Sequence, residues 1–505
     1  MNLRRPISRR LIAQTRSFPS RVSSREERSL RLHATRRGSR AGCALLALML
    51  AQFSWTAGAQ AEATHTIIAA SGAAAPAGGN YRAFLNVARN ARGQVAFDAF
   101  LGGPSTSGVF VNDGMTTSVI ALGGDPDPAA GNFSFVFAPS ITTRGDVIFE
   151  TSDAVFRSDG RTTLPLMQNG DAAPGGGNLI LSSSPIANAR GSVAYLAAVT
   201  GGDSTFGIFR NDGRQTVAIA RDNTLAPTGG TFLFFGEPVI DKHDRVAFLA
   251  GTTGSTDFGI YRGDGETTTT IFAANQSAPG GGTFLDFSHP VINKNGEVFA
   301  VALLQNGGSG LFLGDGIDAV AIALSGDAAP SGGNYATFVG PLTLNDRGQA
   351  AFEVFLTGGA SRSGIFRGDG VTTTPIALQG TAAPGTTGTF DSFQDMTLGK
   401  DGTVAFIGTL TLGVGGVDTS NNRGIWVGTS DEDLRLVARS GQIIGGKTLT
   451  RPESLSQLEM DAGPVVWRGS FSGPRSITRL IGRRFVAQAT REAKSGTASD
   501  AASAT

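Results

Sequence analysis

The stretch Asn345-Asp346-Arg347-Gly348-Gln349-Ala350-Ala351-Phe352 decides the reading of this chain, because its N-x-x-G-x-x-A-F frame returns along most of the remaining length. Clear copies run from Asn90 to Phe97, Thr142 to Phe149, Asn188 to Tyr195, Asp241 to Phe248, Asn293 to Ala300 and Gly399 to Phe406, and Met460 to Trp467 is a worn eighth. The seven clear copies start 46 to 54 residues apart. A period of that size means propeller blades, solenoid coils or separate beads.

Working outward from the frame, each unit reads Pro-x-hydrophobic-Asn, then G-x-V-A-F, a Gly-rich loop, G-I-F-R-x-D-G, T-T-x-I-A and a long A-P-G-G-G-x-F link. Short runs rich in β-branched and aromatic residues between turn residues are strands. In one unit these are Pro238 to Ile240, Val246 to Ala250, Gly259 to Arg262 and Thr268 to Phe272. Asn112-Asp113-Gly114, Asn211-Asp212-Gly213 and the Gly-Asp-Gly triplets at 263–265, 314–316 and 368–370 sit between two such runs. They are hairpin turns, since Asp and Gly tolerate the positive φ that tight hairpins need. No sustained 3.6-residue apolar period occurs, so few helices are expected.

Four short strands per unit of about 50 residues, tight turns within units and a longer link between them are the pattern of an all-β fold, a β-propeller. The chain after the first sixty residues begins at Thr64 to Ala69, which matches the last strand of a unit, and the repeats end at Ser476 to Ile481, which matches the third. If the first completes the blade of the second, the ring closes with eight blades and hides both sheet edges. A seven-bladed ring with a separate C-terminal piece and an open β-solenoid are the alternatives.

Residues 1–40 hold twelve arginines against Glu26 and Glu27 and run into the apolar segment Ala41 to Ala51. A basic region, a short apolar core and the small-residue site Ala59-Gln60-Ala61 form the order of a secretory signal, with cleavage before Glu62. An uncleaved anchor is the competing reading, although the apolar segment is short for a span of about 20 residues. Of the 42 basic and 41 acidic side chains, 30 and 39 follow residue 61, so residues 62–505 carry net charge −9. An acidic surface argues against nucleic acid as a partner. The single cysteine, Cys43, lies in the leader. The exported form therefore has no disulfide, which a body of this length does not need. Arg483 to Thr505 reads as a polar, disordered tail. The expected domains are a signal peptide at 1–61, a repeat propeller at 62–482 and that tail at 483–505.

The frames NARGQVAF and NDRGQAAF, with GIFRGDG and the A-P-G-G-G link, resemble the bacterial exported tandem-repeat proteins that carry the NxxGxxAF repeat. The resemblance covers residues 64–440 strongly and continues weakly to 482. It implies a propeller-like architecture and an exported location, and it brings no established activity and no catalytic residues.

Recurring polar residues invite chemical readings. The hairpin aspartates Asp113, Asp159, Asp212, Asp264, Asp315 and Asp369 read either as a Ca²⁺-binding ring or as turn chemistry, and one Asp per blade favours the turn. Arg157, Arg210, Arg262 and Arg367 read either as anion readers or as stems covering the sheet. The aromatic pairs Tyr81/Phe84, Phe232/Phe235, Phe284/Phe287, Tyr335/Phe338 and Phe390/Phe393 suit core packing better than sugar platforms, which use Trp and Tyr. No metal-ligand spacing, nucleophile elbow or phosphate-cradling loop is present, so no cofactor, metal or catalytic residue is assigned.

The loops between second and third strands differ among units, and ligand-binding residues sit on such loops. The candidates are the acid of the Asp203-Ser204 loop, Asp257, and Asp418, Asn421 and Asn422 of the longest loop, 413–422. The expected protein is an exported, monomeric binding or structural surface module for an extracellular glycan or protein. The alternative is a propeller hydrolase or lyase acting on extracellular polysaccharide through two carboxylates in the channel.

Overall fold

The computed structural model describes residues 65–128, 131–254, 256–455, 465–472 and 477–483, all within one compact unit, 62–505. The expected leader, residues 460–464 of the worn eighth copy of the frame and the tail beyond Arg483 lie outside the described residues. Among the described residues every regular element is a strand, and none is a helix long and apolar enough to cross a membrane.

The strands form eight antiparallel sheets, the blades of a β-propeller. Blade 1 runs Asn80–Arg89, Val95–Gly102, Ser107–Asn112 and Thr117–Leu122 from the axis outward. Blades 3, 4 and 5 have an inner strand in two pieces, as in Phe232–Phe235 and Val239–Ile240. The inner strand thus starts at the last residue of the link, earlier than Pro238, where the sequence placed it. Pro185, Pro238 and Pro290 fall at the breaks, since proline has no N–H to give to the ladder.

The last blade is composite. His65–Ala70 pairs antiparallel with Ile477–Arg483, His65 opposite Arg483 and Ala70 opposite Arg479. This is the closure expected from the two chain ends, and the ring has eight blades. Blade 8 is sealed to blade 1 by Arg468, whose Nη1 donates to the carbonyls of Phe84 (2.8 Å) and Leu85 (2.6 Å).

The core lies between blades. In the Val246–Thr252 strand, Val246, Phe248 and Ala250 face one way, onto Phe232, Phe235 and Tyr261 and onto Ala194 and Ile208 of blade 3. Ala247 faces the other way, among Ile260 and blade 5 residues Phe284, Phe287 and Phe312. Successive strand residues point to opposite faces, so both faces of the V-A-F run are buried. The aromatic pairs are core: Phe232 lies 5.5 Å from Phe235 and 5.1 Å from Tyr261, edge-on to the latter.

The frame itself is a lock between neighbouring blades. The Asn345 carboxamide oxygen accepts from the amides of Arg347 and Gln349, both at 3.0 Å, capping its own turn. Its Nδ2 donates across the interface to the Gly399 carbonyl at 3.1 Å. Asn90 does the same to Thr142 (2.9 Å), Asn188 to Asp241 (2.8 Å) and Asn293 to Asn345 (3.0 Å). All four asparagines are buried. Asp241 has no Nδ2 to donate, and its carboxylate instead pairs with Arg245 at 2.6 Å.

The glycine of the frame meets the other neighbour. Arg367, on the third strand of blade 6, donates to the Gly402 carbonyl of blade 7 at 2.6 Å. Gly402 has φ +87°, and a Cβ there would run into that guanidinium. Arg262 reaches Gly296 and Arg210 reaches Asp244 in the same way. The repeated arginines therefore knit blades together.

Candidate functional site

The candidate loops emerge at the end of the second strand opposite the N-x-x-G turn, on the rim shared with the links. Each link is a compact excursion closed by one β-bridge, such as Leu225 to Thr231 or Ser277 to Thr283. Asp203 and Asp257 are exposed at the tips of the blade 3 and blade 4 loops. Ser204 beside Asp203 is buried, and its hydroxyl donates to the Asp222 carbonyl at 3.0 Å. Asp222 holds that loop through the amides of Thr205 (2.9 Å) and Phe206 (3.0 Å). Burial works against its ionised form, yet these hydrogen bonds leave its carboxyl below the usual range.

The longest loop, on blade 7, is built on itself. Asp418 Oδ1 accepts from the Ser420 amide (2.8 Å) and hydroxyl (2.5 Å), which hold its carboxyl below the ordinary value. Asn421 Oδ1 accepts from the Asp418 amide and from Arg439 Nη2, both at 3.0 Å. Asn422 contributes its carbonyl to the Leu410 amide at 2.6 Å. Asp418 stays exposed, whereas Asn421 and Asn422 are half-buried loop supports. The five positions come from blades 3, 4 and 7, and among the described residues no hydrogen bond or ion pair joins one blade's candidates to another's.

The hairpin aspartates spend their oxygens locally. Asp369 Oδ1 accepts from the amides of Val371 (3.0 Å) and Thr372 (2.8 Å), and Asp113 and Asp315 repeat the pattern. Backbone hydrogen bonds hold the carboxyls of Asp113, Asp159, Asp315 and Asp369 below the usual range. This is turn chemistry.

Sequence reasoning missed two sets of groups. The first is the buried acids of the second strands. Asp98, 1% exposed, accepts from Asn86 N (2.6 Å), Asn86 Nδ2 (3.0 Å) and, across the interface, Ala138 N (3.0 Å). Burial pushes its carboxyl up against the pull of those bonds. Glu150, 5% exposed, is pushed up to about 7, first by burial and further by the Asp98 charge, while Ser184 opposes both. Ala138 has φ +50°, in the left-handed region, and Asp98 holds its amide there. These acids support the kink of an inner strand. Their signal was an acid at the position where other copies carry Leu196, Leu249 or Val301.

The second set lines the axis at the N-x-x-G end. A cavity of about 270 Å³ is bounded by equivalent positions of blades 3 to 7, including Lys242, Lys294 and Lys400. The residue after the frame's Asn is lysine in three copies, which was visible in the sequence. That these three side chains share one opening was not.

No curated protein matches the chain. Among solved structures it is similar to a puromycin-hydrolyzing peptidase of Mycobacterium tuberculosis, at 13% identity and TM-score 0.40 over 78% of this chain and 58% of that one. It is similar also to Trypanosoma rangeli sialidase in complex with 2,3-difluorosialic acid (10%, TM-score 0.28, 83% and 59%). A third is a protein of unknown function from Dyadobacter fermentans (13%, TM-score 0.29, 83% and 99%). The chain spans less than two thirds of the peptidase and of the sialidase. The profile described as a family of unknown function, DUF7453, matches residues 51–165 and 151–474, and the chain belongs to that family.

Proposed function

We propose that the protein is an exported, ring-shaped binding module that engages an extracellular glycan or protein through its loop rim. One observation carries this reading: the polar groups that recur from blade to blade are consumed in holding the scaffold, whereas the loops that differ hold exposed acids such as Asp203, Asp257 and Asp418. Variable loops on a rigid scaffold are where recognition is built. The buried carboxylates that a polysaccharide hydrolase would draw on bind backbone amides and hydroxyls instead. Export rests on the basic and apolar order of residues 1–61 and on the likeness to the NxxGxxAF repeat proteins.

The test is the melting temperature of the protein with a panel of envelope and environmental polysaccharides, in the parent and in a variant whose 413–422 loop is replaced by the short 358–362 loop. A ligand that binds the native state raises the melting temperature by mass action. A rise with one glycan class that the loop replacement abolishes supports the reading; no rise with any glycan or with secreted-protein fractions defeats it. Mass spectrometry of material from a host culture tests export, with a mature N-terminus at Glu62 expected.

A further inference from the structure

We propose a second binding site at the opposite end of the ring: the axial cavity at the N-x-x-G turns binds an amphiphilic monoanion, a carboxylate with a short aliphatic chain.

The cavity is about 270 Å³, close to the lower end of small-ligand pockets, roughly 300 Å³. Its wall and its mouth have opposite character. The wall comes from the last residues of the inner strands, with Ile186, Val239, Val291, Leu342 and Leu344 presenting partly exposed apolar side chains. Ile186 is 42% exposed. The mouth comes from the residue after the frame's asparagine position, which is Lys242, Lys294 and Lys400 in blades 4, 5 and 7 and Asp346 in blade 6.

Charge at that mouth does not cancel. Asp346 is 3.5 Å from Lys294 and 3.9 Å from Lys400, so one acid is shared by two ammonium groups. Asp241, the other acid lining the cavity, is already paired with Arg245 at 2.6 Å. Lys242 adds a third ammonium group for which no acid lies within ion-pair distance among the described residues. A local excess of positive charge over an apolar wall stands out in a body that carries net charge −9. Focused positive potential in a low-dielectric cleft concentrates anions.

A carboxylate accepts hydrogen bonds from ammonium groups such as these. An aliphatic chain behind it would cover the wall, which a fully hydrated ion such as phosphate would leave wet. The site shares no residue with the loop rim and stands or falls separately.

The experiment is isothermal titration calorimetry of the full chain with octanoate, butyrate, octylamine and inorganic phosphate, in the parent and in Lys242→Met and Val291→Asn variants. Methionine keeps an apolar stem of similar length while removing the charge. Octanoate is expected to bind, and each methylene lost toward butyrate should weaken it by about fourfold. Lys242→Met should weaken it by about tenfold, the loss of one charge-assisted contact, with an unchanged melting temperature showing that the variant folds. Octylamine should not bind, and replacing the 413–422 loop should leave octanoate binding intact. The proposal is overturned if octanoate does not bind, if octylamine or phosphate binds as tightly, or if both variants bind octanoate like the parent.

Discussion

Asn345 and Gly399, 54 positions apart in sequence, are joined by a 3.1 Å hydrogen bond from a buried carboxamide nitrogen to a backbone carbonyl of the next blade. The same side chain caps its own turn with its oxygen. Asn345→Ala removes both functions and leaves two part-buried amides without their acceptor, so unfolding in urea should show a loss of about 2 kcal/mol. Asn345→Asp keeps the cap and loses the donor, and at pH 7 its loss should come out smaller than that of the alanine variant. Equal losses would mean that the cap contributes nothing, and an Asn345→Asp variant as stable as the parent would mean that the interblade bond contributes nothing.

Arg468 closes the ring through the carbonyls of Phe84 and Leu85 and pairs with Glu453 at 2.9 Å. Arg468→Met leaves a half-buried carboxylate unpaired and unties blade 8 from blade 1. Hydrogen exchange should accelerate in 65–70, 80–85 and 466–471 and stay slow in blades 3 to 5. Uniform acceleration around the ring would show that closure is not carried at this seam.

Glu150 gives stability a pH dependence of defined sign. Its carboxyl is raised from 4.5 to about 7 in the folded chain, chiefly by burial. Below pH 4.5 it is protonated in both folded and unfolded states and costs nothing. Between about pH 4.5 and 7 the unfolded chain releases the proton first, so stability falls as pH rises and levels off above 7. The full cost is about 3 kcal/mol. Glu150→Gln should match the parent at pH 4 and melt higher at pH 8. A constant gap across that range would mean that the side chain titrates normally.

Asp369 accepts two backbone amides at its hairpin. Asp369→Ala should cost about 1 kcal/mol by analogy with the loss of a helix cap, and Asp369→Asn, which keeps the accepting oxygen, less. With the carboxylates spent on their turns, adding Ca²⁺ or EDTA should leave the melting temperature where it is. A Ca²⁺-dependent rise that disappears in Asp369→Ala would restore the metal-ring reading.

Much of this molecule was legible in one dimension. The spacing of N-x-x-G-x-x-A-F, the hairpin triplets and the paired aromatics identified an all-β ring of four-stranded units, and the two mismatched ends identified the strand that closes it. Such features are local or periodic: a turn needs positive φ within a few residues, and a strand buried on both faces needs consecutive apolar residues. Tertiary structure alone decided why the frame begins with Asn and turns on Gly, because their partners lie on the two adjacent blades, 54 residues ahead of Asn345 and 35 residues before Gly402. It likewise placed Lys242, Lys294 and Lys400 around one opening and put Asp98 and Glu150 beneath the inner strands. Which side chains meet on the axis depends on the closure of the ring, and closure is a property of all eight blades together.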